Sequence, residues 1–505
     1  MKNMKKTIIN LFAAAASVMM LASCNLDLFP IDAIAYDEDG VLIENTTNLS
    51  AMENGILSSY RSYQNGDFYI AEELMFNAFN ATVDFGNNYG ALHKTDYNFT
   101  SSDYDVEDYW SYSYSGIKNF NILIAAAAKV DESLEAAAKK VAGEAYFFRA
   151  ATYLNLARHF GKAYSSSAST DLCVPLITVY DQSEHPERAT VAAVYAQIKE
   201  DLDQAATLLA DVKGSARATK PTIDAVNALY ARYYRDIKDY SNAAKYAHMV
   251  IDPGTYVLAS TAKEMKDVYV NDEGKESIYQ CFINMSEFTG NTTTAYTLET
   301  TDQKYGICFR PYYIPSQTLM DQYEEGDLRL ETWFDKSVAV LISGNYFNVP
   351  DQPSFYTFVK FRGNWNLTTS TELLNGRNAP KPFKIAEQYL IAAEAEFLGN
   401  DAVAAAADLN ALQTARGATP TEATMENIQK EWFKETVGEG LRLSCMKRWA
   451  TGFNGRPAQP TAQNIVQLGD VFIDKVFSAN DPHFQWPIPA HELNINKNLI
   501  QNEGY

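Results

Sequence analysis

Apolar residues recur at three- and four-residue steps along several long stretches of the chain. The clearest is Val141 to Phe160, where Ala142, Ala145, Tyr146, Ala150, Tyr153, Leu154 and Ala157 share one side of a 3.6-residue helix. Gly161 then ends it as a C-cap. Ile223 to Tyr234 and Tyr240 to Ile251 carry the same period, opened by Pro221 at a favourable helix start and joined by the short turn Asp236 to Asp239. They fold back on each other as a hairpin. Ile385 to Leu398 and Ala402 to Ala415, with Gly399 and Asn400 between them, repeat the design about 160 residues later, their alanines letting the helices approach closely. The pattern predicts further helices over Ala51 to Tyr63, Tyr109 to Val130, Val191 to Leu209 and Met425 to Trp449. Their alanine-rich and aromatic faces read as helix–helix core.

The period and small residues of these hairpins resemble tetratricopeptide repeats. Between about Gly254 and Lys381 the texture changes to short aromatic and Thr/Asn-rich pieces such as Asn291-Thr292-Thr293-Thr294, Tyr312-Tyr313 and Tyr356 to Trp365. This predicts a loop-rich lobe with a few short strands, and a similar region lies between Gly66 and Asp108. Loops of that length on a helical scaffold tend to carry function.

The first residues read as an address rather than a fold element. Lys2, Lys5 and Lys6 precede an apolar run from Ile8 to Met20, the charged-then-hydrophobic order of a secretory signal and too short for a stable membrane span. Leu21-Ala22-Ser23-Cys24 follows and resembles the bacterial lipobox, which makes Cys24 the expected acylated N-terminus and lipid anchor. No later stretch has the length and apolarity of a membrane helix, so the membrane is expected to touch only the Cys24 lipid. Hydrophobic residues at 47% and charged residues at 21% fit a globular body with a large core. The net charge of -21 repels phosphate backbones and excludes nucleic acid as an expected partner. Cys173, Cys281, Cys308 and Cys445 are far apart and show no CxxC spacing, which leaves room for one disulfide whose pairing the sequence does not choose.

The C-terminal run Trp486-Pro487-Ile488-Pro489-Ala490-His491-Glu492-Leu493, with Asn494 to Asn498 and Gln501-Asn502-Glu503-Gly504-Tyr505, resembles the closing signature of the SusD/RagB family. Lys497 stands where that family usually has proline. Family-like pieces also occur in order at Asn25 to Pro30, Trp110 to Asn121, Arg149 to Gly161 with Pro175-Leu176, and Ala386 to Glu396. A weaker piece is Glu431 to Trp449, with Trp432 for the usual arginine and Cys445-Met446 for Asp-Leu. The resemblance implies a mainly α protein with a signal peptide at 1–23 and one body at 24–505. In that body about four tetratricopeptide-like hairpins, mainly 40–251 and 384–450, pack against an irregular loop-rich lobe with few short strands, mainly 254–381 with 451–505. It implies a lipoprotein on the outer face of the outer membrane that binds oligosaccharide and delivers it to a SusC-like TonB-dependent transporter, with peptide capture on the same scaffold as the alternative. The signature tail reads as fold-specifying, since nothing in it demands chemistry.

Sugars offer apolar faces and many hydroxyls, so a binding surface needs exposed flat aromatics and paired hydrogen-bonding side chains. Asp84, Asn87, Asn88 and Tyr89 supply these within six residues, although an Asn-Gly-type turn bonding its own backbone would look the same. Tyr296 and Tyr305 with Arg310 form a second candidate, competing with simple core packing, and Trp365 between Asn364 and Asn366 a third. No nucleophile elbow, H-E-x-x-H or phosphate-binding loop is present, and the many acids select no glycosidase pair. The six histidines are well separated, and Asp37-Glu38-Asp39-Gly40 lacks the calcium-loop pattern. The expectation is a binding protein with no catalytic residue, no metal and no cofactor, and a glycosidase or a pure partner adaptor as rivals of another class.

Overall fold

The computed structural model describes residues 43–64, 66–84, 100–181, 183–287, 297–466, 476–479 and 481–505. Its scaffold helices are α1 (Thr46–Ser62), α2 (Gly66–Met75), α3 (Tyr104–Ala127), α4 (Glu132–Phe160), α5 (Val191–Leu208), α6 (Ile223–Asp236), α7 (Tyr240–Ile251), α8 (Ile385–Leu398), α9 (Ala402–Ala415), α10 (Met425–Thr436) and α11 (Arg442–Trp449). Several starts are set by side-chain chemistry. Asn45, Thr190, Thr222, Asp239, Asp401 and Thr424 each accept a hydrogen bond from the backbone N–H three residues on. Each thereby satisfies a donor that the first helical turn leaves open.

Helices pack in succession: α1 on α3, α3 on α4, then α5, α6, α7, α8 and α9 each on its predecessor. This is the stacked-hairpin logic of a helical repeat, in which each unit buries the face its neighbour leaves open. In α8, Ile385, Leu390 and Ile391 are fully buried, each contributing about 1.5–3 kcal/mol. Ala386, Ala392, Ala393 and Ala395 beside them are buried too and bring α7 and α9 close. Buried ion pairs fasten the stack: Arg149 to Asp201 joins α4 to α5, Arg158 to Asp236 joins α4 to α6, and Arg232 to Glu387 joins α6 to α8.

The structure departs from the sequence reading at three places. α4 begins at Glu132 rather than Val141, because the stretch Glu132 to Lys140 is a run of good helix formers whose mostly exposed positions give no apolar stripe. α2 occupies the region expected to be loop, with Phe68, Ile70, Ala71, Met75, Glu72 and Glu73 all buried. With every described side chain of the helix but Tyr69 buried, no polar stripe sets off an apolar one. The single helix expected over Met425 to Trp449 is two, α10 and α11, broken where Gly438 (φ 77°) and Gly440 (φ 65°) take left-handed backbone. There the Gly438 N–H donates to Glu73 Oε1 at 2.8 Å, and Lys360 Nζ donates to the Glu435 and Val437 carbonyls that end α10.

The lobe contains a four-stranded sheet. In chain order its neighbourhood holds β1 (Phe79–Ala81), β2 (Leu298–Asp302), β3 (Gly306–Arg310), β4 (Tyr313–Pro315), β5 (Ala339–Ile342) and β6 (Asn345–Phe347). The sheet order is β2-β3-β5-β6, with β3 and β5 parallel and both outer pairs antiparallel. Phe309, Val340 and Ile342 on one face are buried with Ile314 and Phe355. β1 pairs with β4, and the chain beyond it stays on the lobe, Thr82 N–H bonding the Tyr312 carbonyl and Val83 N–H that of Ile465.

Scaffold and lobe share a buried charge seam. Arg416, at the end of α9, reaches Glu276 and Glu435, both at 2.7 Å. Arg329, on the short helix Leu328–Trp333, reaches Glu435 at 3.0 Å and Asp327 at 2.9 Å. The C-terminal run is structural as well. Trp486 and Ile488 are buried, Trp486 N–H donates to the His159 carbonyl at 2.7 Å, and Asn502 Nδ2 donates to the carbonyls of Phe160 and Trp486. Cys173, Cys281, Cys308 and Cys445 are buried free thiols, so none is bridged to another. Burial pushes the Cys173 and Cys281 thiols up to about 12.

Candidate functional site

Two hairpins of the lobe sheet present their turns and side chains to solvent. Between β2 and β3 the chain turns through Gln303, Lys304 and Tyr305, and Asp302 holds that turn: its Oδ1 accepts the N–H of Lys304 at 2.8 Å and of Tyr305 at 2.9 Å. The other carboxylate oxygen accepts the Tyr346 hydroxyl at 2.6 Å, from β6. The rings of Tyr305 and Tyr346 consequently sit 4.8 Å apart at 59°, with Lys304 Nζ 4.7 Å from the Tyr305 centroid. Both rings are half-buried. Hydrogen bonding to the Tyr346 hydroxyl, then to the two N–H groups, holds the Asp302 carboxyl below its usual range, and the same bond pushes the Tyr346 phenol up to about 12.

The β5–β6 turn is a two-residue type I′ turn, with Ser343 at φ 50° and Gly344 at φ 77°. Serine rarely takes that conformation unaided. Here Asp84 supports it: its carboxylate accepts the Ser343 N–H at 2.7 Å and hydroxyl at 3.0 Å. Asp302, Lys304, Tyr305 and Tyr346 thus meet across the two hairpins, while Asp84, beyond β1, holds the β5–β6 turn through Ser343. The surface offers flat aromatic carbon and a fringe of both charges, the chemistry that recognises a sugar's apolar face and hydroxyls.

Of the residues selected from sequence, Tyr305 lies in this group, and Asp84 supports the β5–β6 turn. Arg310 is exposed at the far end of β3, paired with Leu298 and away from the turn. Trp365 is 48% exposed on a separate 3₁₀ turn, Trp365–Leu367, carried by Asn364, which donates to the Asn271 carbonyl and to Asp272. Cys24, Asn87, Asn88, Tyr89 and Tyr296 lie outside the described residues. The sequence reading passed over Asp302, Ser343 and Tyr346. The Ser343-Gly344 pair between two short apolar runs was the available hairpin signal.

A partly open pocket of about 80 Å³ is lined by Tyr63, Tyr69, Tyr109, His159, Lys384 and Glu439. That is about half of the ~150 Å³ in which an engineered cavity holds one benzene. It is too small for a sugar ring; a wider groove of about 680 Å³, lined by Glu53, Lys140, Glu144 and Lys220, lies on the helix stack and lacks the aromatic pair of the hairpins. Among the described residues no helix is long and apolar enough to cross a membrane.

The chain matches the family model described as starch-binding, associating with the outer membrane, over residues 38–235. It matches the SusD family model over residues 260–505. Among solved structures it is similar to a SusD superfamily protein from Bacteroides thetaiotaomicron VPI-5482, with TM-score 0.73 and 24% identity over 90% of this chain and 99% of that one. A putative sugar binding protein from Bacteroides vulgatus ATCC 8482 has TM-score 0.70 and 22% identity, over 92% and 99%. Surface glycan-binding protein A from Bacteroides fluxus has TM-score 0.69 and 20% identity, over 92% and 100%. No curated protein matches the chain at a significant level. With two models matched along most of its length and the same fold in these structures, the chain belongs to the SusD/RagB family.

Proposed function

We propose that this protein captures oligosaccharide at the outer face of the outer membrane, held there by a lipid on Cys24, and hands it to a SusC-like TonB-dependent transporter. The observation that carries the reading is the Tyr305–Tyr346 pair, set in place by Asp302 and flanked by Lys304. The matched model is described as starch-binding with the outer membrane, and two similar structures are called sugar- or glycan-binding, which supports the same ligand class.

Binding without cleavage fits the carboxylates. A glycosidase needs one acid raised toward neutrality and a second free to act as base or nucleophile. Both oxygens of Asp302 and of Asp84 are instead occupied by donors, and Asp302 is held low.

Affinity electrophoresis or calorimetry of the purified protein against host and plant polysaccharides and a peptide digest tests the proposal. Retardation by a glycan is expected, weakened at least tenfold by Tyr305→Ala or Tyr346→Ala, about 1.4 kcal/mol. Unchanged affinity in both variants moves the surface elsewhere, with Trp365→Ala and Tyr89→Ala as the next tests. Binding to peptide alone supports the peptide-capturing alternative, and new reducing ends after overnight incubation overturn the non-enzymatic reading.

A further inference from the structure

Three helices of the scaffold bring a histidine and two carboxylates to one spot. His248 of α7, Glu396 in the last turn of α8 and Asp408 of α9 place their ligand atoms within 4.8 Å of one another. His248 Nε2 is 2.9 Å from Glu396 Oε1 and 3.2 Å from Asp408 Oδ2, while Nδ1 is 3.0 Å from Asp252 Oδ1 just beyond the end of α7. A carboxylate on Nδ1 holds a proton there, which leaves Nε2, facing the other two acids, as the nitrogen an ion would take. That is how ligand histidines are commonly oriented by a partner behind the ring.

Charge and hydrogen bonding point the same way. Glu396 and Asp408 keep only 11% of their side chains exposed, and among the described residues no lysine or arginine pairs with either. Glu396 Oε2 is shut off from solvent and meets no hydrogen-bond donor among the described residues. A buried acceptor of that kind asks for a cation or donor to satisfy it. His248 retains 31% exposure, which gives an ion a way in and a water a place to complete its coordination. One imidazole and two carboxylates suit a four-coordinate ion with nitrogen and oxygen ligands, whereas calcium takes six to eight oxygens.

We propose that His248, Glu396 and Asp408 form a site for a divalent transition-metal ion of the zinc class, with water as fourth ligand and Asp252 as the residue that positions the imidazole. The sequence gives no hint of it, since 148 residues separate His248 from Glu396. The site lies on the helix stack rather than the lobe sheet, and the bound ion ties α7, α8 and α9 together.

Zinc titration of the chelator-treated intact protein by calorimetry, with cobalt(II) as a spectroscopic stand-in, tests the proposal. One equivalent of zinc is expected to bind and to raise Tm, and cobalt to give the visible absorption of a four-coordinate ion. His248→Gln and Asp408→Asn, which keep side chains of similar size, are expected to lose at least tenfold in zinc affinity while their metal-free circular dichroism matches the parent. Asp252→Asn is expected to weaken binding less than either. No stoichiometric zinc on the parent protein overturns the proposal, leaving His248 as an imidazolium that bridges the carboxylates. Equal zinc affinity in parent and His248→Gln, or calcium bound in zinc's place, overturns it as well.

Discussion

Both carboxylate oxygens of Asp302 hold other groups in position, one fixing the β2–β3 turn and one aligning the Tyr346 ring. Asp302→Asn weakens the hydrogen bond and removes the charge that together push the Tyr346 phenol up. Its ionisation is expected to fall from about 12 toward the ordinary ~10 of tyrosine, which NMR of ring-labelled tyrosine at position 346 reads directly. Glycan affinity is expected to fall with it, since a ring no longer held in place must be ordered on capture. At this scale the sequence was half legible. Asp84 and Tyr305 stood out by residue type in polar loops. Tyr346 did not, because the pairing that brings it to Asp302 crosses 44 residues and is decided by the order of strands in the sheet.

At the scale of the element, the turn between α10 and α11 is the place where one methyl group decides the backbone. A Cβ on Gly440 would lie 2.4 Å from Tyr69 Cδ1, and φ 65° is unfavourable for any residue with a side chain. Gly440→Ala is therefore expected to destabilise the protein by roughly 2 kcal/mol or more, strain and clash together, as read by urea denaturation. Gly55→Ala in α1, with open space around its Cβ, is expected to be neutral or to stabilise by up to about 1 kcal/mol. The amphipathic helices were legible because their apolar stripe survives in sequence. α2 was not, because nearly all its described side chains are buried and leave no polar stripe to contrast with, and the Gly438 to Gly440 break was hidden in a period that resumes at Arg442.

Across the whole molecule, the seam around Arg416, Glu276, Glu435 and Arg329 ties the end of the helix stack to the lobe. Burial pushes the Glu435 carboxyl up, but Arg416 and then Arg329 outweigh it and leave it well below the usual carboxylate range. Its contribution to stability is thus fully present above the unfolded value of about 4.3 and is lost as pH falls below it. Glu435→Gln leaves two buried guanidinium groups short of an anion, so a loss of roughly 3–5 kcal/mol at neutral pH is expected. The acid limb of the stability curve should flatten with it. None of these pairings was legible, since ion pairs between distant helices leave no periodic trace.

The four unbridged cysteines give this chain a set of internal clocks. Cys173 follows α4, Cys281 lies where the scaffold meets the lobe, Cys308 is in the lobe sheet and Cys445 is in α11, all with 2% exposure or less. A thiol so enclosed reacts with an alkylating agent only when its surroundings open. Pulsed labelling resolved by mass spectrometry therefore times the opening of four regions in one experiment, without mutation. A common rate at all four sites means that hairpins and lobe open as a single cooperative unit, and a faster Cys308 means that the sheet bearing Tyr305 and Tyr346 breathes while the helices stay shut.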